Sequence, residues 1–169
     1  ADQDWFKNQE FWQSLLSHAQ EIEAMHFAGG EPFIIPELPI LLQGLIDAGH
    51  AKNIELSFNS NLTVLPQRLL ALWPKFKGVK IFASVDGLGK VNSFIRHPSS
   101  WVELEKNLKI LNDQKSELNL LSVNASVTVQ AYNILHLTDL LQFLQKELPQ
   151  FDPPALHILR HPSMFSMQI

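Results

Sequence analysis

The segment HFAGGEPFII, residues 26–35, sets two glycines, a carboxylate and a proline at the end of an apolar run. Glycine carries no Cβ, so a ligand can approach the backbone closely there. Carbonyls at the exposed end of a strand can accept from an ammonium, and Glu31 adds a full negative charge beside them. Pro32 biases Glu31 toward extended geometry and removes one backbone donor. Gly29, Gly30, Glu31 and Pro32 therefore suit a cationic amine, although a plain turn uses the same residue types. Comparable polar stretches recur downstream: Asn59-Ser60-Asn61, then Ser84-Val85-Asp86-Gly87 with Arg96 beyond it, then Thr128-Val129-Gln130 with Asn133. Arg96 can take a carboxylate. Asp86, Asn59 and Asn61 can take sugar hydroxyls. Amine, carboxylate and hydroxyl partners together describe an amino acid joined to a nucleoside.

These stretches need elements that bring them to one rim. AMHFAGG (24–30) reads as a strand, as do NIELSFNSN (53–61), VKIFASVDG (79–87), LLSVNASVTVQ (120–130) and ALHILR (155–160). Helices are expected between them. Leu38, Leu41, Leu42, Leu45 and Ile46 have helical spacing, with Gly49 as a stop. A short helix is expected at 66–73, beginning at Pro66. Ser100 and Glu103 form a capping-box pattern before WVELEKNLKILND. Residues 134–148 carry one apolar helical face. Trp5, Trp12, Leu15 and Leu16 predict an opening helix.

Alternating strands and helices imply parallel strands joined by right-handed crossovers. Val79, Ile81, Ala83 and Val85 share one strand face, opposite Ser84 and Asp86. Leu56 and Phe58 oppose Ser57, Asn59 and Asn61; Val123, Ala125, Val127 and Val129 oppose Asn124, Ser126, Thr128 and Gln130. An antiparallel sheet with one wet face shows the same alternation, but helix-length connections argue for parallel pairing. The expectation is an α/β fold: a partial (β/α) barrel whose polar face converges on the C-terminal ends of its strands, where such folds bind ligands. The chain divides into an N-terminal helix (1–22), repeated βα units (23–160) and a tail (161–169), all within one domain (1–169).

Composition narrows the function classes. The 169 residues are 46% hydrophobic and 18% charged, which suits one globular domain with a substantial core. The net charge is −4 and no Lys/Arg cluster stands out, so a nucleic-acid surface is not expected. No apolar run spans a bilayer and the polar start is not a signal peptide, so the expected location is cytoplasmic. There is no cysteine, and hence no disulfide, thiolate-held metal or iron–sulfur cluster on these residues.

In order and spacing, the motifs resemble those of the radical S-adenosylmethionine (SAM) superfamily. FAGGEPFIIPEL looks like its GGEP motif, SFNSN like the ribose-binding motif after the third barrel strand, and ASVDG with FIR like the fourth-strand segment of the SPASM/twitch branch. VTVQAYN resembles the fifth strand and its exit. The resemblance runs from about Glu23 to Arg160. It implies five strands of a six-stranded barrel and a SAM site made by Gly29, Gly30, Glu31, Pro32, Asn59, Ser60, Asn61, Ser84, Asp86, Arg96 and Gln130. His26, Asn124, Ser126, Thr128 and Asn133 would line the lumen toward substrate. It implies reductive cleavage of SAM to a 5′-deoxyadenosyl radical for hydrogen abstraction, with a peptide as the frequent substrate of that branch. The family's CxxxCxxC loop, whose thiolates hold a 4Fe–4S cluster, has no counterpart here. The expectation is a partial chain, with the cluster ligands in the intact parent. An incomplete barrel also predicts self-association through its free first-strand edge.

Two other readings stand beside this one. A non-catalytic nucleoside-binding or scaffold domain fits the absence of cysteine. A phosphate-binding β/α barrel fits less well, because Glu31 would repel an anion and Pro32 removes a donor. His157 and His161 fall on a strand and its exit, so no metal site is expected from them. His26 reads as a hydrogen-bonded histidine beside the lumen. Trp5, Trp12, Trp73 and Trp101 read as packing anchors, and Glu103 and Glu105 as a cap and a solvated charge.

Overall fold

The computed structural model describes residues 8–166. Trp5 lies outside them. A five-stranded sheet runs in the order β1-β2-β3-β4-β5, with every adjacent pair parallel. Its strands are β1 (Ala24–Phe27), β2 (Glu55–Ser60), β3 (Gly78–Ser84), β4 (Leu120–Val129) and β5 (Asp152–Ile158). The helices are α1 (Gln9–Ser17), α2 (Glu37–Asp47), α3 (Gln67–Leu72), α4 (Lys90–Ile95), α5 (Trp101–Asp113) and α6 (Leu137–Glu147). The strand order follows the chain order, as successive crossovers of one hand require. No helix of the described residues is long and apolar enough to cross a membrane.

Period-2 alternation sorts the sheet into two faces. Leu56, Phe58, Val79, Ile81, Ala83, Val123, Ala125 and Val127 are buried under the helices. They meet stripes made by Leu38, Leu41, Leu42 and Leu45 of α2, Leu104, Leu108 and Leu111 of α5, and Leu140 and Leu144 of α6. Trp73 is fully buried in a 3-10 turn after α3, and Trp12 and Trp101 pack partly buried against the same core. The packing roles expected for these three tryptophans hold. On the opposite face Ser57, Lys80, Phe82, Ser84, Ser122, Asn124, Ser126 and Thr128 are half-buried. Lys80 is paired with Glu55 there at 2.7 Å.

Several boundaries differ from expectation, each for a local reason. β1 ends at Phe27, not Gly30, because Gly29 and Gly30 adopt φ of +86° and +55° and turn the chain off the sheet. β5 begins at Asp152 and includes Pro153 and Pro154. An edge strand tolerates them, and the β4–β5 register shifts between Asn124 and Ser126 at that point. A 3-10 turn, Ile134–His136, precedes α6. Leu156 and Ile158 are 50% and 60% exposed, because no described helix covers their side of β5.

The capping box does not form. Ser100 occupies the N-cap of α5 with extended backbone but makes no side-chain cap bond. The turn from α4 brings Ser93 close instead, and its hydroxyl accepts from the Trp101 amide at 3.2 Å.

Glu105 is not simply solvated. It accepts from Lys109 Nζ and from Trp101 Nε1, each at 2.7 Å. The Lys109 bond, with help from Trp101 and against a smaller burial effect, holds its carboxyl below the usual 4.5. A depressed carboxylate pKa adds stability above the unfolded value and loses it as pH falls through the folded one. Glu105→Gln should therefore lower the melting temperature at neutral pH, and the gap to wild type should shrink as pH falls below 4.5 and through the lower folded value. Thermal melts across pH check this.

Candidate functional site

The C-terminal ends of β2, β3 and β4 and the α4–α5 connection enclose a cleft of about 710 Å³. Asn61, Thr63, Asp86, Arg96, His97, Ser99, Ser100, Glu103, Thr128 and Gln130 line it with Ile95 and Pro98. Of the residues expected at a site, Asn61, Asp86, Arg96, Thr128 and Gln130 come together here.

The GGEP turn is fastened to the next strand exit. A β-carbon at Gly29 or Gly30 would meet nothing within 4 Å, so the positive φ is the steric demand at both. Glu31 has the extended backbone expected before proline (φ −127°, ψ 107°). Its Oε1 accepts from Phe33 N at 3.2 Å and from Ser60 Oγ at 2.7 Å, and its Oε2 accepts from Asn61 N at 2.7 Å. The carboxylate thus binds two strand exits to each other. Two expected contact residues are displaced by this arrangement. Pro32 is buried under the turn with Phe33. Ser60 is 2% exposed on the helix side of β2, and its hydroxyl is engaged by Glu31 and by the Leu62 amide at 2.9 Å. Ser60 follows Leu56 and Phe58 in the alternation, which is why it points away from the lumen.

Asn61 accepts on Oδ1 from Thr63 N (2.9 Å) and Thr63 Oγ1 (2.7 Å). Its amide nitrogen is left as a donor at the cleft. Leu62 follows at φ 52°, buried, with its carbonyl accepting from Asn107 of α5 at 2.7 Å. That bond ties this exit to the helix layer.

Asp86 sits just beyond β3 and is 3% exposed. Its Oδ1 accepts from Thr128 N at 2.7 Å. Its Oδ2 lies 2.8 Å from Arg96 Nε, whose N–H is not aligned on that oxygen, so charge holds the pair together. Arg96 is the C-cap of α4, with its backbone N–H bonded to Asn92 O at 2.9 Å. Asn92, fully buried, accepts from Asp86 N at 2.9 Å.

Asn133 does not line the lumen. It is fully buried, accepting from Gln130 N and donating to the carbonyls of Asp86 and Thr128, each at 2.8 Å. It knits the exits of β3 and β4 together.

Asn59, Ser84, Asn124 and Ser126 lie on the polar face but do not line the cleft. Asn124 has a buried Oδ1 with no partner. His26 is exposed at the surface of β1, with Nδ1 2.7 Å from Ser57 Oγ and its ring edge-on to Phe82. His157 lies opposite Thr128 on β5.

Sequence reasoning did not anticipate Asn92, Thr63 or the His97–Glu103 wall. Asn92 did carry a signal: asparagine is disfavoured inside a helix unless its side chain has a partner elsewhere.

No family model and no curated protein matches the sequence. Solved structures do match. Native anSMEcpe with bound AdoMet and Cp18Cys peptide superposes at a TM-score of 0.71 with 16% identity, over 95% of this chain and 47% of that one. Native anSMEcpe with bound AdoMet and Kp18Cys peptide gives 0.65 and 18%, over 88% and 42%. Streptococcus suis SuiB bound to S-adenosylmethionine gives 0.64 and 17%, over 95% and 36%. The chain spans less than half the length of each. At these identities the likeness is one of fold: the chain has the parallel βα architecture found within anSMEcpe and SuiB.

Proposed function

We propose that this chain is the S-adenosylmethionine-binding part of a radical SAM enzyme. The observation that carries the reading is the cleft at the strand ends, where Arg96 stands beside Asn61, Thr128 and Gln130. Its support is a fold shared with proteins solved with bound AdoMet. The residues fit that molecule. A guanidinium is available for the carboxylate. The exposed Gly29-Gly30 turn, which does not line the cleft, would offer carbonyls to the ammonium, while the Glu31 carboxylate is taken up by Phe33, Ser60 and Asn61. The Asn61 amide, Thr128 and Gln130 suit the nucleoside.

Bound SAM would be held by Arg96, Asn61, Thr128 and Gln130, and with a cluster supplied from outside these residues it would provide reductive radical chemistry. This chain's own part is to bind and orient SAM at the strand rim. It does not fit the cluster. It has no cysteine, and the described residues contain no group of three or more metal-ligating side chains. In this reading the thiolates lie outside these 169 residues. The peptides bound by anSMEcpe support a peptide substrate. The cysteine-free composition also favours a second reading, a non-catalytic nucleoside-binding domain. The two part on whether the protein carrying this domain supplies cluster ligands.

Isothermal titration calorimetry of SAM into the chain tests the binding reading. Saturable one-to-one binding is expected, weakened about tenfold or more by Arg96→Ala, the loss of a charge-assisted contact. No heat at saturating SAM, or an unchanged affinity in the variant, would refute it.

A further inference from the structure

We propose that Asp86 is a positioning residue that sets Arg96 to receive a ligand carboxylate, and is not itself a ligand for sugar hydroxyls. The inference rests on the S-adenosylmethionine reading of the cleft and goes beyond it in assigning the two residues different work.

Every polar atom of Asp86 already has a partner within the chain. The amide donates to Asn92, the carbonyl accepts from Asn133, Oδ1 accepts from Thr128 N and Oδ2 holds Arg96. The residue is 3% exposed, and the two asparagines that grip its backbone are fully buried. A carboxylate so enclosed presents little to a hydroxyl in the cleft. It is well placed for a different task. The grip from three elements, α4, β4 and the segment after β4, fixes one carboxylate oxygen at the base of the cleft.

Arg96 meets that oxygen as an ion pair, with Nε, the inner nitrogen of the guanidinium, 2.8 Å away but its N–H not aligned on it. The group is planar, and its terminal amino nitrogens form a separate edge that matches a carboxylate bidentately. Arg96 is 26% exposed and lines the cleft. The ion pair at Nε therefore limits the rotation of the long side chain and leaves the carboxylate-matching edge for a ligand. Ordering the side chain before binding removes an entropic cost from association.

The test compares SAM with decarboxylated SAM, which keeps the nucleoside, sulfonium and amine. Calorimetry is run on wild type, Asp86→Asn and Arg96→Lys, with thermal melts to show that each is folded. The Arg96 Nε–H signal is followed by nuclear magnetic resonance without ligand. Wild type should prefer SAM over its decarboxylated form by about tenfold. Asp86→Asn should erase most of that preference, leave decarboxylated SAM within about twofold, and broaden or shift the Nε–H signal. Arg96→Lys, which keeps the charge but not the fork, should also lose the preference. Equal losses for both ligands in Asp86→Asn would mean a nucleoside contact or a general structural role, and would overturn the proposal. An unchanged preference or an unchanged Nε–H signal would overturn it too. If wild type takes neither ligand, the S-adenosylmethionine reading falls and the carboxylate assignment with it. The Nε–H signal then still reports separately whether Asp86 holds Arg96.

Discussion

Asn133→Ala should destabilise the chain by about 3 kcal/mol, one of the largest effects of any polar substitution in it. The side chain is fully buried and makes three bonds at 2.8 Å to the backbone of Gln130, Asp86 and Thr128. Truncation leaves an amide and two carbonyls without that partner, and each buried orphan costs roughly 1–3 kcal/mol. The sum is held to the lower figure because the three groups share one site and relax together. Asn124→Ala is the control. Asn124 belongs to the same sheet, but its Oδ1 already lacks a partner, so its removal should cost under about 1 kcal/mol. Urea denaturation of the two variants against wild type measures the difference. Comparable midpoints for both variants would show that Asn133 is not a structural node. Because the Asp86 carbonyl is one of the groups released, the cleft should loosen as well, with faster amide exchange at Thr128.

Phe58→Ala should cost about 3–5 kcal/mol, the range for removing a fully buried aromatic ring. Phe58 is fully buried in β2, with ring centroids of Phe27 at 5.0 Å, Phe33 at 5.3 Å and Trp73 at 5.8 Å. Its effect reaches the site through Phe33, which follows Glu31 and Pro32 in the 3-10 turn beside the GGEP loop. Without the ring, the turn loses the packing that presses Glu31 against Ser60 and Asn61. Phe58→Leu keeps most of the volume and should cost under about 1.5 kcal/mol. Chemical denaturation gives the stability, and hydrogen exchange at Phe33 and Asn61 reports the rim. A loss below about 2 kcal/mol for the alanine variant would mean that neighbouring side chains collapse into the space.

The GGEP turn shows how a sequence signal can be sound in place and incomplete in meaning. The glycines do take positive φ and Glu31 is extended. Both follow from residue type and from the proline next door. What the carboxylate binds does not follow from them. Its partners Ser60 and Asn61 lie 29 and 30 residues away, so only the packing of β1 against β2 brings them within reach. The parity of Ser60 with Leu56 and Phe58 was legible, however, and by itself places the serine on the helix side of the strand.

By itself the sequence determined the five strands, most of the helices between them, the parallel order and the buried face of β2, β3 and β4. Those properties rest on hydrophobic period and connection length, which are local quantities. It also placed polar residues at one end of the sheet, since parallel strands bring all their C-terminal ends to one rim. Only the tertiary structure decided which of them face the cleft and which hold it together. Asp86 and Arg96 meet across α4, Asp86 and Thr128 across 42 residues, Asp86 and Asn133 across 47. An aspartate or asparagine has the same appearance in sequence whether it waits for a ligand or satisfies a distant backbone group. The distinction is made when burial removes water and each remaining donor and acceptor must find a partner within the fold.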